Sequence, residues 1–304
     1  MVHRFLSRLR PWFASLFIIT LGLVFVLQAC TGSNAPSANA PSDEGLDRMA
    51  QEHQGEDPIA TGTALQAPAI AVISETVEYA AVNGQPVTGF FAQPAVTEAP
   101  LPGIITIHEW WGLNDNIKAM TERLAGEGYS VLAVDLYNGE VADESDQARE
   151  LVQRVRQNPA AAEDNLLQAY DYLVNEQQAT AVGSIGWCFG GAWSLNTGLL
   201  LPQDLDAVVI YYGRLETDPA ILAPLEMPIA GFFGGQDQSI LLTDVEAFEI
   251  ALTELGKTVE IHIYEEANHA FANPSGTRYN PEAAEDAWEK TTAFFAQTLS
   301  GLEG

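Results

Sequence analysis

Cysteine is nearly missing from this chain: Cys30 and Cys188 are the two in 304 residues. A bridge between them would tie the middle of the chain to the edge of its N-terminal apolar run, so no disulfide framework is expected. Two cysteines so far apart, with five scattered histidines, lack metal-ligand spacing, so no metal and no other cofactor are expected. Positive charge is scarce too, with 13 Lys plus Arg against 41 Asp plus Glu and a formal net charge of −28. Arg4, Arg8 and Arg10 stand in a stretch without acids, so the remainder is more acidic still. Such a surface repels polyanions and excludes nucleic acid as a partner; solubility is the plain reason for it. Internal repeats are absent. What remains, 47% hydrophobic, suffices for one domain of about 230 residues plus N-terminal segments.

Arg4, Arg8 and Arg10 precede an apolar run from Trp12 to Leu27, followed by Gln28-Ala29-Cys30. Charged n-region, apolar h-region and small residue before the cut describe an export signal. The L-x-A-C ending resembles a bacterial lipobox, although Gln28 stands where a small residue is usual. It implies cleavage after residue 29 and a lipid on Cys30. The alternative is an uncleaved anchor, since the run is barely long enough to span a bilayer. Either reading puts the domain outside the cytoplasm, tethered to the cell envelope. Residues 30–69 are rich in Ala, Ser, Pro, Gly, Asp and Glu and read as a flexible tether in which His53 has no chemical part. Residues 70–304 read as the folded domain.

That domain opens with β-like runs on either side of Asn83-Gly84, a hairpin signal. Short apolar strands then alternate with helices: strands at Ile104–Ile107, Ser130–Val134, Val182–Trp187, Ala207–Tyr211, Ile229–Phe233 and Val259–Tyr264, and a last helix at Pro281–Leu299. The alternation predicts an α/β fold, a doubly wound, mostly parallel sheet with an N-terminal β-hairpin and its site at the strand C-termini. Gly186-Trp187-Cys188-Phe189-Gly190 closes the third of these strands as G-x-C-x-G, a nucleophile elbow with cysteine in place of the usual serine. The following helix points backbone N–H groups and positive potential at the thiol, favouring thiolate. A buried structural cysteine is the bland alternative.

A thiol nucleophile needs a base and a group that orients it, in the chain order nucleophile, acid, histidine. His269 lies in a loop past the last strand and fits the base; His262 alternates with Ile261 and Ile263 and reads as a solvated strand residue. Asp237, after Gly234-Gly235-Gln236, fits the acid, or else a helix N-cap. Glu265 and Glu266 fit less well, being on the histidine's own loop. Glu109, directly after Ile104–Ile107, could share the thiol proton at rest and guard the sulfur from oxidation.

Three further motifs flank this set. His108-Glu109-Trp110-Trp111-Gly112, Val134-Asp135-Leu136-Tyr137 and His269-Ala270-Phe271, with the elbow and Gly234-Gly235-Gln236-Asp237, resemble the dienelactone hydrolases in order over about residues 70–299. The resemblance implies an α/β-hydrolase fold, a Cys188–His269–Asp237 triad, a resting Cys188–Glu109 contact, and an oxyanion hole from the backbone N–H groups of Trp110 and Phe189. Members acting on dienelactone hold its carboxylate with two arginines. One belongs four residues past the histidine, where this chain has Asn273; for the other, Arg149 is the nearest candidate. Trp110, Trp111, Tyr137, Tyr211, Tyr212 and Phe271 are candidate pocket aromatics, with a core role as the equal alternative.

The expectation is therefore a monomeric, envelope-tethered hydrolase of a small ester or lactone, working through a Cys188 acyl-enzyme with altered specificity. A non-catalytic ligand-binding protein of the same fold is the competing reading, and a carbon–halogen hydrolase would need a carboxylate at the elbow.

Overall fold

The sheet begins where the turn chemistry places it. In the computed structural model, which describes residues 43–53, 55–56 and 66–299, Asn83 and Gly84 both take positive φ. They join β1 (Val72–Val82) to β2 (Gln85–Pro94) as an antiparallel hairpin. The export signal and Cys30 lie outside the described residues. Among the described residues, no helix is long and apolar enough to cross a membrane.

The hairpin joins the main sheet through an antiparallel pairing of β2 with β4 (Ser130–Val134). From there all pairings are parallel, through β3 (Gly103–Ile107), β5 (Val182–Trp187), β6 (Ala207–Tyr211), β7 (Ile229–Gly234) and β8 (Val259–Tyr264), in the order β1-β2-β4-β3-β5-β6-β7-β8. β3 to β7 are buried at every position, as strands covered on both faces must be, so they read as continuous apolar runs. Their cover comes from α2 (Asp115–Gly126), α3 (Ser145–Gln157), α4 (Pro159–Asp171), α5 (Phe189–Leu200), α7 (Leu242–Glu254) and α8 (Pro281–Leu299), with α6 a single turn at Pro219–Leu222. This is the doubly wound, mostly parallel sheet anticipated from the strand and helix alternation, in the α/β-hydrolase arrangement that the resemblance implied.

After β3 the chain turns to one side for β4, then crosses to the other side of β3 for β5. The crevice beyond the C-terminal ends of β3 and β5 is thus the topological switch point, where such sheets bind ligands. Glu109 leaves β3 and Cys188 leaves β5 into that crevice.

One segment departs from the sequence reading. Within the stretch 30–69, read as a tether, Asp43–Glu52 forms a helix, α1. Leu46, Met49, Ala50 and His53 recur at i, i+3, i+4 and i+7, one helical face. Leu46 is fully buried in a cluster with Trp110, Trp111, Leu151 and Val152, with Met49 and Ala50 packed beside it. Ala-, Gly- and acid-rich composition masked this short stripe.

Candidate active site

Two backbone features shape the elbow. Cys188 has φ 53° and ψ −114°, a strained conformation for a residue with a side chain. A Cβ on Gly186 would lie 2.0 Å from the Gly190 carbonyl oxygen, so only glycine closes this turn. Phe189 then heads α5, which leaves its N–H in the first helical turn without an intrahelical acceptor.

The sulfur meets the expected base. His269 Nε2 lies 3.3 Å from Cys188 Sγ, and His269 Nδ1 donates to Asp237 Oδ2 at 2.7 Å. Asp237 Oδ1 accepts from the N–H groups of Ser239 and Ile240 and closes the turn after β7, whereas α7 has Leu241 at its N-cap, so the helix N-cap reading of Asp237 is not realised. Burial alone would raise the Asp237 pKa, but the charge and hydrogen bond of His269 outweigh it and hold the carboxyl below its usual range. Burial would likewise lower His269, but Asp237 and the sulfur overcome it and leave the imidazole protonated well above its usual pKa. For Cys188, burial pushes up while His269 and then His53 pull down, and the thiol settles at about 6.

His53, assigned no chemistry from sequence, is fully buried against Cys188, its Nε2 3.9 Å from Sγ. Its Nδ1 donates to Glu56 Oε2 at 2.5 Å, and Arg278 Nη2 donates to Glu56 Oε1 at 2.9 Å. Trp110 flanks the ring at 4.7 Å between centroids, and the His269 ring meets it edge-on at 5.5 Å. The i+7 spacing from Leu46 was the signal that could have found it. Among the described residues, His53, Cys188 and His269 are also the group able to hold a metal, their ligand atoms lying within 4.8 Å of one another.

Glu109 behaves differently from expectation. It is buried, but its Oε2 accepts from Asn273 Nδ2 at 2.8 Å, and its Oε1 has no hydrogen-bond partner among the described residues. The expected resting contact with Cys188 is not formed; the sulfur's polar neighbours are the two histidines. Burial, and then the negative charge of Cys188, raises Glu109 to about 8, so it is a neutral acid at pH 7. Asn273, standing where a substrate arginine was expected, serves this carboxyl group. Trp110 is fully buried beside the same crevice.

The cavity in front of Cys188 measures about 360 Å³, with Met49, Phe189, Trp193 and Tyr212 among its walls. Arg48, Arg156 and Arg214 line it as well. Of the candidate aromatics Tyr212 stands at this wall, and the others are elsewhere, for the reason left open in the sequence: strand-end aromatics here are core. Tyr137 packs on His108 and Phe189, Tyr211 stacks on Phe232, and Phe271 packs between Tyr212 and Tyr264. Trp111 is buried against Trp110. Arg149 forms an ion pair with Asp47 that fastens α3 to α1, so it is a clasp for the N-terminal helix and not a wall of this cavity. His108 is neutral and fully used, donating from Nδ1 to the Glu109 carbonyl and accepting the Leu136 N–H at Nε2; burial lowers its pKa. Asp135 accepts the N–H groups of Tyr137 and Gly139 and so builds the turn after β4. His262 lies half-buried on β8, stacked on Phe232.

Residues 87–299 match the model of the dienelactone hydrolase family. A Saccharolobus solfataricus protein named "Putative carboxymethylenebutenolidase" is 32% identical over 251 residues, covering 70% of this chain and 94% of its own. "Protein usf" of Aquifex pyrophilus is 32% identical over 225 residues, covering 72% of this chain and 96% of its own. Among solved structures, a Klebsiella pneumoniae protein described as "Putative Dienelactone Hydrolase" superposes with a TM-score of 0.67 at 28% identity, covering 75% of this chain and 99% of that one. The match runs from β2 through the switch-point crevice to the last helix, and the chain belongs to the dienelactone hydrolase family, a hydrolase of ester or lactone bonds on the α/β-hydrolase fold.

Proposed function

We propose that the protein cleaves a small ester or lactone through an acyl-enzyme on Cys188. The observation that carries this reading is the relay Cys188 Sγ, His269 Nε2 at 3.3 Å, and Asp237 at 2.7 Å from the far side of the ring. Cys188 enters the reaction as thiolate and forms a bond to the carbonyl carbon. The carbonyl electron pair moves onto oxygen, where the N–H groups of Phe189 and Trp110 receive it. Collapse expels the alkoxide, which takes a proton from an imidazolium of the crevice, and water then releases the acyl group, its proton passing back to that ring. The buried Asp237 keeps His269 in the orientation and charge state that hold the sulfur ionised.

The cavity supports an altered specificity. Asn273 is engaged by Glu109, and Arg48, Arg156 and Arg214 gather at the cavity wall in a chain with only 13 basic residues. An ester whose acid or alcohol part ends in a carboxylate is the substrate class this wall favours, by about 1.5–3 kcal/mol for one charge-assisted contact. That amounts to roughly a 10- to 150-fold preference in kcat/KM over a neutral isostere. On the sequence alone, we also propose export and lipidation at Cys30, which a mass shift lost in Cys30→Ser would reveal.

The decisive experiment is intact-protein mass spectrometry during turnover of matched p-nitrophenyl esters with and without a free carboxylate. Wild type should gain the acyl mass at Cys188 and prefer the acidic ester. Wild-type turnover by Cys188→Ala would end the thiol mechanism, and equal kcat/KM on the pair would end the specificity argument.

A further inference from the structure

His53 has been given no step of its own so far, yet its setting repeats that of His269. Each imidazole faces Sγ with Nε2 and gives its Nδ1 proton to a buried carboxylate. A histidine that merely packed beneath a helix end would need neither a fixed tautomer nor an ion pair behind it. Here Glu56 is itself held by Arg278, whose Nε donates to the His269 carbonyl oxygen at 2.9 Å, so one arginine ties both histidine arms together. The segment does not plug the site. Gly45 and Met49 of α1 form one wall of a cavity that still exposes Cys188 and His269 to substrate.

Resting on the thiol-esterase reading, we propose that His53 is a second catalytic residue: the imidazolium that donates a proton to the leaving group and then takes one from the attacking water. The charges close on this assignment. The groups facing His53 are Cys188, His269, Glu56, Glu109 and Arg278, whose Nη2 lies 3.4 Å from His53 Nδ1 as well as donating to Glu56. Glu109 is neutral at pH 7. Thiolate, Glu56 and Asp237 supply three negative charges; Arg278 and two imidazolium rings supply three positive ones. When the thiolate becomes a thioester, one proton must leave, and His53 releases it more readily. Its carboxylate is already neutralised by Arg278, whereas Asp237 accepts, besides His269, only uncharged backbone N–H groups.

The steps balance. Thiolate forms the C–S bond; the C–O bond to the leaving group breaks with its electron pair, and the His53 proton turns alkoxide into alcohol. Neutral His53 then accepts a proton from water as its oxygen bonds to the thioester carbon. The C–S bond breaks with its pair on sulfur, regenerating the thiolate beside a His269 that stayed protonated. The carboxylic acid product loses its proton to solvent.

The test is a leaving-group series, from p-nitrophenyl to simple alkyl esters of one acid, run on wild type and His53→Gln, with Glu56→Gln as a second variant. General-acid catalysis contributes on the order of 10²–10⁴-fold. His53→Gln should therefore lose a factor in that range on alkyl esters but less than about 10-fold in the p-nitrophenyl burst, because p-nitrophenolate leaves without a proton. Glu56→Gln should show the same slope in weaker form, and it reads the proposal even if His53→Gln does not fold. In iodoacetamide alkylation, which needs no substrate, the Cys188 pH midpoint should rise from about 6 in wild type toward that of a free thiol in His53→Gln. Equal losses across the series, or no loss, would overturn the proton-donor role; an unshifted alkylation midpoint would overturn the resting role. If wild type hydrolyses no member of the series, the esterase reading fails, while alkylation still reports on His53.

Discussion

Replacing Gly190 by alanine attacks the elbow from behind. The new Cβ would stand 2.2 Å from the Ile107 carbonyl oxygen and 2.5 Å from that of His108, both backbone atoms, where contacts below 3.0 Å essentially never occur. β3 and α5 must therefore separate by about 1 Å, yet β3 cannot retreat freely, because Ile107 pairs with Gly186 across the β3–β5 ladder. Overpacking of this kind costs about 1–3 kcal/mol, which for a domain of this size is roughly 2–12 °C in Tm. The movement falls on the residues flanking Cys188 and Phe189, and a 1 Å misplacement costs on the order of 10²-fold in rate. Gly128→Ala is the control: its φ is 103° and nothing lies within 4 Å, so it should lose about 1 kcal/mol to backbone strain and keep its activity. Thermal melts by circular dichroism and kcat/KM on a p-nitrophenyl ester measure both. Wild-type Tm and kcat/KM in Gly190→Ala would refute the claim that close backbone packing sets the nucleophile's position.

Glu109→Gln should keep kcat/KM within about threefold at pH 6–7, since burial and the neighbouring thiolate already hold Glu109 neutral up to about 8. Above that pH the wild-type carboxylate ionises beside the sulfur and activity should fall; a pH–rate profile should show the fall with its inflection near 8 in wild type and not in the glutamine variant. An unchanged alkaline limb would assign that titration elsewhere. Arg149→Ala removes a partly exposed pair with Asp47 and should cost only about 0.2–1 kcal/mol, with the ratio of acidic to neutral ester turnover unchanged. A rise in KM confined to acidic esters would return Arg149 to the substrate wall.

Much of this fold was legible because its physics is local. Parallel strands covered on both faces are uniform apolar runs, Asn83-Gly84 spells its own turn, and G-x-C-x-G admits one geometry. The positions of Asp237 and His269 follow from strand ends, which the alternation locates to within a residue. What sequence spacing did not carry was partnership across the crevice. The resemblance implied a contact between Glu109 and Cys188, which do leave adjacent strands, but Asn273, 164 positions away from Glu109, takes that carboxyl group instead. Arg149 was chosen as the arginine nearest a pattern, and Asp47 on a helix read as tether accounts for it better. Of the pocket aromatics only Tyr212 lines the cavity, and the others missed it for a simpler reason. An aromatic at a strand end turns into the crevice or under the sheet's helices by one step of side-chain alternation, and composition does not distinguish the two.

The order in which the two buried acids ionise expresses what the N-terminal helix adds. Free in water, a glutamate loses its proton near 4.3 and a cysteine near 8.5. In this crevice the order is reversed, with Cys188 at about 6 and Glu109 at about 8. Desolvation penalises both anions, so it cannot by itself invert them; the difference lies in what each faces. The sulfur has two imidazoles aimed at it, while the carboxyl group has an amide N–H on one oxygen and no hydrogen-bond partner among the described residues on the other. Two adjacent anions in a low-dielectric site are mutually exclusive, so whichever is better solvated by the protein suppresses the other. The surface charge of −28 does not decide this, because exposed charges are screened over about 8 Å at physiological salt. The decision is made by His269, which the hydrolase scaffold supplies, and by His53, which reaches the sulfur only because Leu46, Met49 and Ala50 seat α1 against Trp110 and α3. A short amphipathic stripe outside the sheet thereby helps set the ionisation state of the nucleophile within it.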